Sequence, residues 1–202
     1  GDGDLRWAIA GSNRSKLEAV RRSCLAKALH DKLPTIVADS DDAGSLAALV
    51  ARTRVICTTV GPYAKYGTPL VAACVEAGTH YCDLTGEVQW MARVIPQYQQ
   101  AAEASGARIV HTCGFDSVPF DMGNWYLQQV MFERHGVFAR QVKARVGRNR
   151  GAASGGTIAS ILNMIEEARR DPSIRRQVAN PYALYPTGTP AGQDGPDQTG
   201  PI

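Results

Sequence analysis

Short apolar runs alternate with helix-patterned stretches down most of this chain. The runs are RWAIAG (6–11), PTIVAD (34–39), RVICTTVG (54–61), THYCDLTG (79–86) and ARIVHTCG (107–114). Five such strands, separated by helices at intervals of roughly 25 residues, predict a parallel, doubly wound α/β sheet.

The helical stretches carry their own start and stop signals. Ser15 and Glu18 have capping-box spacing, and Leu17, Val20, Cys24, Leu25 and Ala28 then share one face. Asp41 or Asp42 caps a helix running to Val50. Thr68 as N-cap, Pro69 at the first helical position and Gly78 as stop frame the next one. Pro96 predicts a bend or break within the helical region 88–105. Another helix covers 116–131, with Ser117 near its cap.

The pattern changes after Gly136. RQVKARVG (140–147) alternates like a half-exposed strand. The stretch 155–170 then puts Ile158, Ile161, Leu162, Ile165 and Ala168 on one helix face. Residues 1–135 therefore read as a dinucleotide-binding domain of Rossmann-like type. Residues 136–202 read as the start of an α+β domain for substrate binding or dimerisation, and their Pro/Gly-rich end reads as loop.

In a Rossmann-like sheet the first strand-to-helix turn holds a pyrophosphate and needs several glycines for close backbone approach. The loop GSNRSK (11–16) has only Gly11. It suits instead the end of the second strand, which meets the adenosine ribose. Gly11, Ser12, Asn13, Arg14 and Lys16 offer hydroxyl, amide and cationic donors. These match a 2′-phosphate better than a bare diol, which attracts an acidic side chain. NADP(H) is the expected cofactor, with NAD(H) as the alternative, and Asp39 at the end of the next run is a further cofactor-side candidate. The sheet's first strand and phosphate loop are accordingly expected to precede residue 1. Without them, two inner sheet edges have no partner.

CTTVGPYAKYGTPLV (57–71) runs a buried strand into a tight turn beside the point where ligands bind such sheets. Val60, Gly61, Pro62 and Tyr63 are cofactor candidates: Gly61 admits close backbone approach and Pro62 fixes the turn. Tyr63 and Tyr66 either flank a ribose or nicotinamide or are plain surface tyrosines. Asp83, Thr85, Glu87 and Asp116 are the catalytic candidates, because polar groups at successive strand ends converge on one cleft. Capping is the first reading for Asp116 and Ser117 and a site role the second, and a turn is the alternative for Thr85. Cys113 reads as packing, with a reactive thiol near a helix start as the alternative, His80 and His111 as satisfied core or edge residues, and His30 and His135 as residues at helix C-terminal ends.

The net charge of +3 gives no case for nucleic acid, and no apolar run reaches membrane-spanning length. Five scattered cysteines with no CxxC spacing argue against a disulfide framework or a metal site and for a reducing, cytoplasmic setting. Arg140, Lys143, Arg145, Arg148 and Arg150 read as a solvated strand face, with an acyl-carrier protein or anionic lipid as the alternative partner.

VGPYAKYGTPLVAACVEAGTHYCDLTGE and CGFDSVPFDMG resemble the saccharopine dehydrogenase-like oxidoreductases, in particular the bacterial trans-acting enoyl reductase group. The likeness runs from about residue 5 to 185. Ser12 stands where the family usually has an arginine, and the family's glycine-rich opening loop and the later half of its second domain have no counterpart here. The resemblance implies a Rossmann domain followed by an α+β domain, an active site between them, and hydride transfer from a nicotinamide cofactor. The acceptor would be a carbon–carbon double bond of a polyketide or lipid substrate, delivered by an acyl-carrier or polyketide synthase partner. The alternatives are an amino-acid imine, as in saccharopine dehydrogenases, or a non-catalytic lipid-associated binding role. Homodimerisation and peripheral membrane association are further expectations.

Overall fold

The computed structural model describes residues 5–24, 32–148, 151 and 154–186. Leu25, Ala28, His30, Arg150 and the stretch from 187 onward lie outside the described residues. The elements are β1 (Ile9–Gly11), α1 (Arg14–Cys24), β2 (Thr35–Val37), α2 (Ala43–Val50), β3 (Val55–Thr58) and α3 (Tyr63–Ala77). They continue with β4 (His80–Asp83), α4 (Val88–Ser105), β5 (Ile109–Val110), α5 (Val118–His135), α6 (Gly155–Arg170) and α7 (Pro172–Ala179). Among the described residues no helix is long and apolar enough to cross a membrane.

Among the described residues every strand pairing is parallel, which makes this an α/β fold of Rossmann-like type. The strands form two ladders, β1–β2 and β3–β4–β5, and no hydrogen-bonded pairing joins them among the described residues. β1 and β3 are thus each paired on one side only. The strands are shorter than their sequence runs because their ends leave the ladder. The Thr85 and Thr112 N–H groups, for example, donate to the Asp83 carboxylate instead.

The core lies between the three-stranded sheet and α2–α4. Val50, Val71, Cys74, Val75, Tyr81, Trp90, Met91 and Val94 form it. Among the described residues the opposite face of that sheet is open, with Val55 and Val110 about half exposed. α5 buries none of its side chains, and Ile158, Ile161, Leu162 and Ile165 of α6 remain exposed among the described residues.

Several local expectations need correction. α1 is capped by Asn13, whose Oδ1 accepts the Lys16 N–H at 2.9 Å, so Ser15 lies inside the helix. Of the two residues expected to cap α2, Asp42 does so, accepting the N–H groups of Gly44 and Ser45. α3 starts at Tyr63 rather than at Thr68–Pro69, because its first N–H groups find a carboxylate outside the helix. Thr68 instead accepts the Trp90 indole N–H at 2.9 Å.

α4 runs without interruption through Pro96. A mid-helix proline sacrifices a ladder bond, and the burial of Trp90, Met91, Val94 and Ala102 on either side outweighs that loss. α5 begins after Ser117 with no side-chain cap from it. Residues 140–147 form no strand. An alternating sequence needs a neighbouring ladder to become one, and none lies beside it among the described residues. The nearest substitute is Gln128, whose side-chain amide donates to the Ala139 carbonyl at 3.0 Å and accepts its N–H at 2.8 Å. α3 stops where expected, at Gly78, whose φ of 68° is the left-handed conformation that ends helices.

Candidate functional site

A cleft of about 340 Å³ opens at the C-terminal ends of β3 and β4, beneath the first turns of α6. Gly61, Tyr63, Glu87 and Asp116 line it from one side, Thr157 and Ser160 from the other. Ligands of open α/β sheets bind at this end of the strands. Gly61 sits in close approach: a Cβ there would stand 3.2 Å from Ser160 Oγ, which would have to give way.

Glu87 organises the cleft wall. Its side chain is almost fully buried. Oε1 accepts the Tyr63 N–H at 2.7 Å and Oε2 accepts the Ala64 N–H at 2.9 Å. The carboxylate therefore fills the role of an N-cap for α3, and its charge opposes the positive end of the helix dipole. Ser160 Oγ donates to Oε1 at 2.8 Å and ties α6 to the same group.

Tyr63 is fixed with equal care. Its hydroxyl donates to the Thr58 carbonyl at 3.2 Å and accepts the Leu84 N–H at 3.3 Å. Its ring stacks on Trp90 with centroids 5.6 Å apart. Burial pushes this hydroxyl above its ordinary 10.0, with the Leu84 bond pulling partly back. Pro62 precedes it as the N-cap residue of α3, and Val60 is half exposed at the cleft's edge.

Asp83 and Thr85 lie behind the cleft rather than in it. Asp83 is fully buried and accepts four hydrogen bonds: Tyr81 OH at 2.9 Å, Thr85 N at 3.1 Å, Thr112 N at 3.0 Å and His111 Nδ1 at 2.7 Å. Burial, and then the Asp83 charge, push the Tyr81 hydroxyl far up. Thr85 Oγ1 accepts the Glu87 N–H at 3.1 Å, so the two residues hold the loop that delivers Glu87. Thr112 takes a φ of 59°, rare for a β-branched residue and costing roughly 1–2 kcal/mol. The Asp83 bond to its N–H holds it there.

Asp116 is the exposed carboxylate of the cleft, and among the described residues no hydrogen bond holds it. Three cysteines, Cys57, Cys82 and Cys113, cluster on the open sheet face, where Cys57 and Cys82 are in register. Burial and the neighbouring thiols push Cys82 up to about 12.

The cofactor-side candidates of β1 and β2 sit apart from this cleft. Ser12, Asn13, Arg14 and Lys16 are exposed around the start of α1, whose first turn has no acidic residue. Neither Arg14 nor Lys16 forms a salt bridge among the described residues. Two cations at a helix N-terminus oppose the dipole, and a bound anion relieves that conflict. Gly11 lies against Leu17: a Cβ on the glycine would stand 3.4 Å from Leu17 Cδ2. Asp39 turns its Oδ1 onto the Asp41 N–H at 3.0 Å, closing a local turn at the end of β2.

Residues 1–110 match the family described as the saccharopine dehydrogenase NADP binding domain. The chain belongs to that family. Curated relatives are similar to the chain over nearly its whole length. A provisionally named trans-acting enoyl reductase of Mycobacterium tuberculosis is 44% identical over 91% of it. Trans-acting enoyl reductases of Mycobacterium ulcerans and Mycobacterium bovis are each 39% identical, over 91% and 89% of it. The chain spans less than half of their length, 43% to 44%. Among solved structures, apo saccharopine dehydrogenase (L-Glu forming) of Saccharomyces cerevisiae superposes with a TM-score of 0.50 at 14% identity. That match covers 67% of this chain and 27% of the yeast one, and it shows the shared fold.

The sequence of this NADP-binding-family chain groups Asp83, Thr85, Glu87 and Asp116 as one constellation. The structure separates them into a buried pair and a cleft-lining pair. It also adds Ser160, which no motif singles out, and His111, which reads in the sequence as an ordinary core residue.

Proposed function

We propose that this chain supplies the NADP(H)-binding part, and one wall of the active-site cleft, of an oxidoreductase that reduces a carbon–carbon double bond in a polyketide or lipid acyl substrate. The substrate arrives on an acyl-carrier or polyketide synthase partner. The observation that carries the cofactor reading is the anion-seeking loop at the start of α1. There, Arg14 and Lys16 lack carboxylate partners among the described residues, as a 2′-phosphate requires. The names of the relatives support the enoyl acceptor.

When bound, the nicotinamide supplies the hydride. The chain's own residues do the rest. Gly61 keeps the cleft wall low enough for close approach, and Pro62 and Tyr63 fix that wall. Glu87, Asp83 and Thr85 are positioning residues whose polar atoms are committed to protein partners. Asp116 is the cleft carboxylate free to meet substrate.

The test is fluorescence titration of the full-length protein with NADPH and NADH, alongside the Arg14→Ala/Lys16→Ala variant. NADPH should bind more tightly, and the double variant should lose about tenfold or more in NADPH affinity with little change for NADH. Equal affinity for both cofactors, unaltered in the variant, overturns the cofactor reading. NADPH oxidation with lysine-derived imines but not with enoyl thioesters overturns the substrate reading.

A further inference from the structure

We propose that Gln89 and Glu167 are positioning residues of the cleft: their hydrogen bond fixes the angle at which α6 holds Ser160 against Glu87. Their effect on turnover rests on the function proposed above.

α6 meets the rest of the fold with its polar side. A helix held by hydrophobic burial turns its apolar stripe inward. In α6 that stripe, Ile158, Ile161, Leu162 and Ile165, stays exposed among the described residues. The inward ridge is instead Ser160, Asn163 and Glu167, at i, i+3 and i+7, and Asn163 is the buried residue of the helix. Glu87 and Gln89, at the start of α4, stand across from that ridge. Ser160 Oγ donates to Glu87 Oε1 at 2.8 Å, and Gln89 Nε2 donates to Glu167 Oε2 at 2.9 Å.

This seam gives up stability. Gln89 is fully buried, and its Oε1 and the Asn163 Nδ2 have no hydrogen-bond partner among the described residues. Unmet buried atoms cost free energy that apolar contacts would not. Hydrogen bonds are directional and hydrophobic contact is not, so what the seam supplies is a defined orientation. Ser160 and Glu167 lie two turns apart, about 10 Å along the helix. With the Ser160 bond alone, α6 would pivot about that hydroxyl, and a second bond at that distance removes the pivot. α7 also rests on α4, so loss of the Gln89 bond should tilt α6 rather than detach it.

The test is a double-mutant cycle in the full-length protein, read by hydrogen exchange at the Tyr63 and Ala64 amides, which share Glu87 with Ser160. Ser160→Ala and Glu167→Ala should each speed that exchange about fivefold. The double variant should do no more than either alone, because both act through the Ser160 contact. Gln89→Glu sets two carboxylates together and should speed exchange as well. Adding Glu167→Gln restores one amide facing one carboxylate, and should return exchange to the wild-type rate, or recover folding if Gln89→Glu alone does not fold. With NADPH and an enoyl thioester, Glu167→Ala should raise the thioester KM about fivefold with NADPH affinity unchanged. A wild-type protein that reduces no enoyl thioester overturns the substrate reading, and the exchange cycle still decides the role of Gln89 and Glu167. Additive effects of Ser160→Ala and Glu167→Ala, no effect of Glu167→Ala on exchange, or a Gln89→Glu/Glu167→Gln protein no better than Gln89→Glu would each overturn the proposal.

Discussion

The Glu87 carboxylate accepts the backbone N–H of Tyr63 at 2.7 Å from 24 residues away in sequence, and so starts a helix to which it does not belong. Replacing it removes three acceptor contacts at once, from Tyr63, Ala64 and Ser160. Glu87→Ala should therefore destabilise the protein by about 3 kcal/mol, the scale of stranded buried donors. Glu87→Gln should cost less, because one oxygen still accepts. Urea midpoints for the two variants check the order, and a loss below about 0.5 kcal/mol for Glu87→Ala would contradict the capping role.

Gly67 should respond against helix propensity. In an exposed helix interior, Gly→Ala gains about 1 kcal/mol. Here a Cβ would stand 2.7 Å from Trp90 Cζ2, and the indole is held by its bond to Thr68. Overpacking of this kind costs about 1–3 kcal/mol. Gly67→Ala should lower stability, and the penalty should shrink in a Trp90→Phe background. Denaturant melts of the four proteins in that cycle decide it.

Asp116 should separate activity from stability. It is exposed and makes no hydrogen bond among the described residues. Asp116→Asn should leave the thermal midpoint within about 1 °C, as expected for a surface change. Turnover should fall by about tenfold or more. Full activity would remove Asp116 from the substrate side of the cleft.

Stability should decline in alkali. Tyr81 and Tyr63 are raised above their ordinary 10.0, and burial pushes the Cys74 thiol from 9.0 up to about 12. The folded state thus holds protons that the unfolded chain releases. The associated stability is fully present below those ordinary values and is lost as pH rises from about 9 towards 12. Thermal midpoints should stay level between about pH 7 and 8.5 and fall above about pH 9.5. A level profile up to about pH 11 would contradict the assignment.

The strands were readable because burial against α2–α4 demands apolar side chains on them, and those residues stand out in any window. Helix starts were less readable. The cap of α3 comes from a distant loop, so Thr68 and Pro69 sent a local signal that the fold overrides. Residues 140–147 have a strand's alternation and no ladder to join, and pattern alone cannot supply one. The Asp83–His111 pair had a usable trace. Tyr81 pairs with Ile109, and Asp83 and His111 each lie two residues further along parallel strands. A carboxylate on a buried strand face needs a donor at that place, and the next strand offers a histidine.

Ser160 hangs on the same oxygen that receives the Tyr63 N–H, so two walls of the cleft share a single fastening. Any guest that draws Ser160 aside will also loosen the opening turn of α3, and a firmer opening turn will in return hold Ser160 in place. Occupancy and local rigidity are therefore one equilibrium here, and amide exchange at Tyr63 and Ala64 would register what enters between the walls.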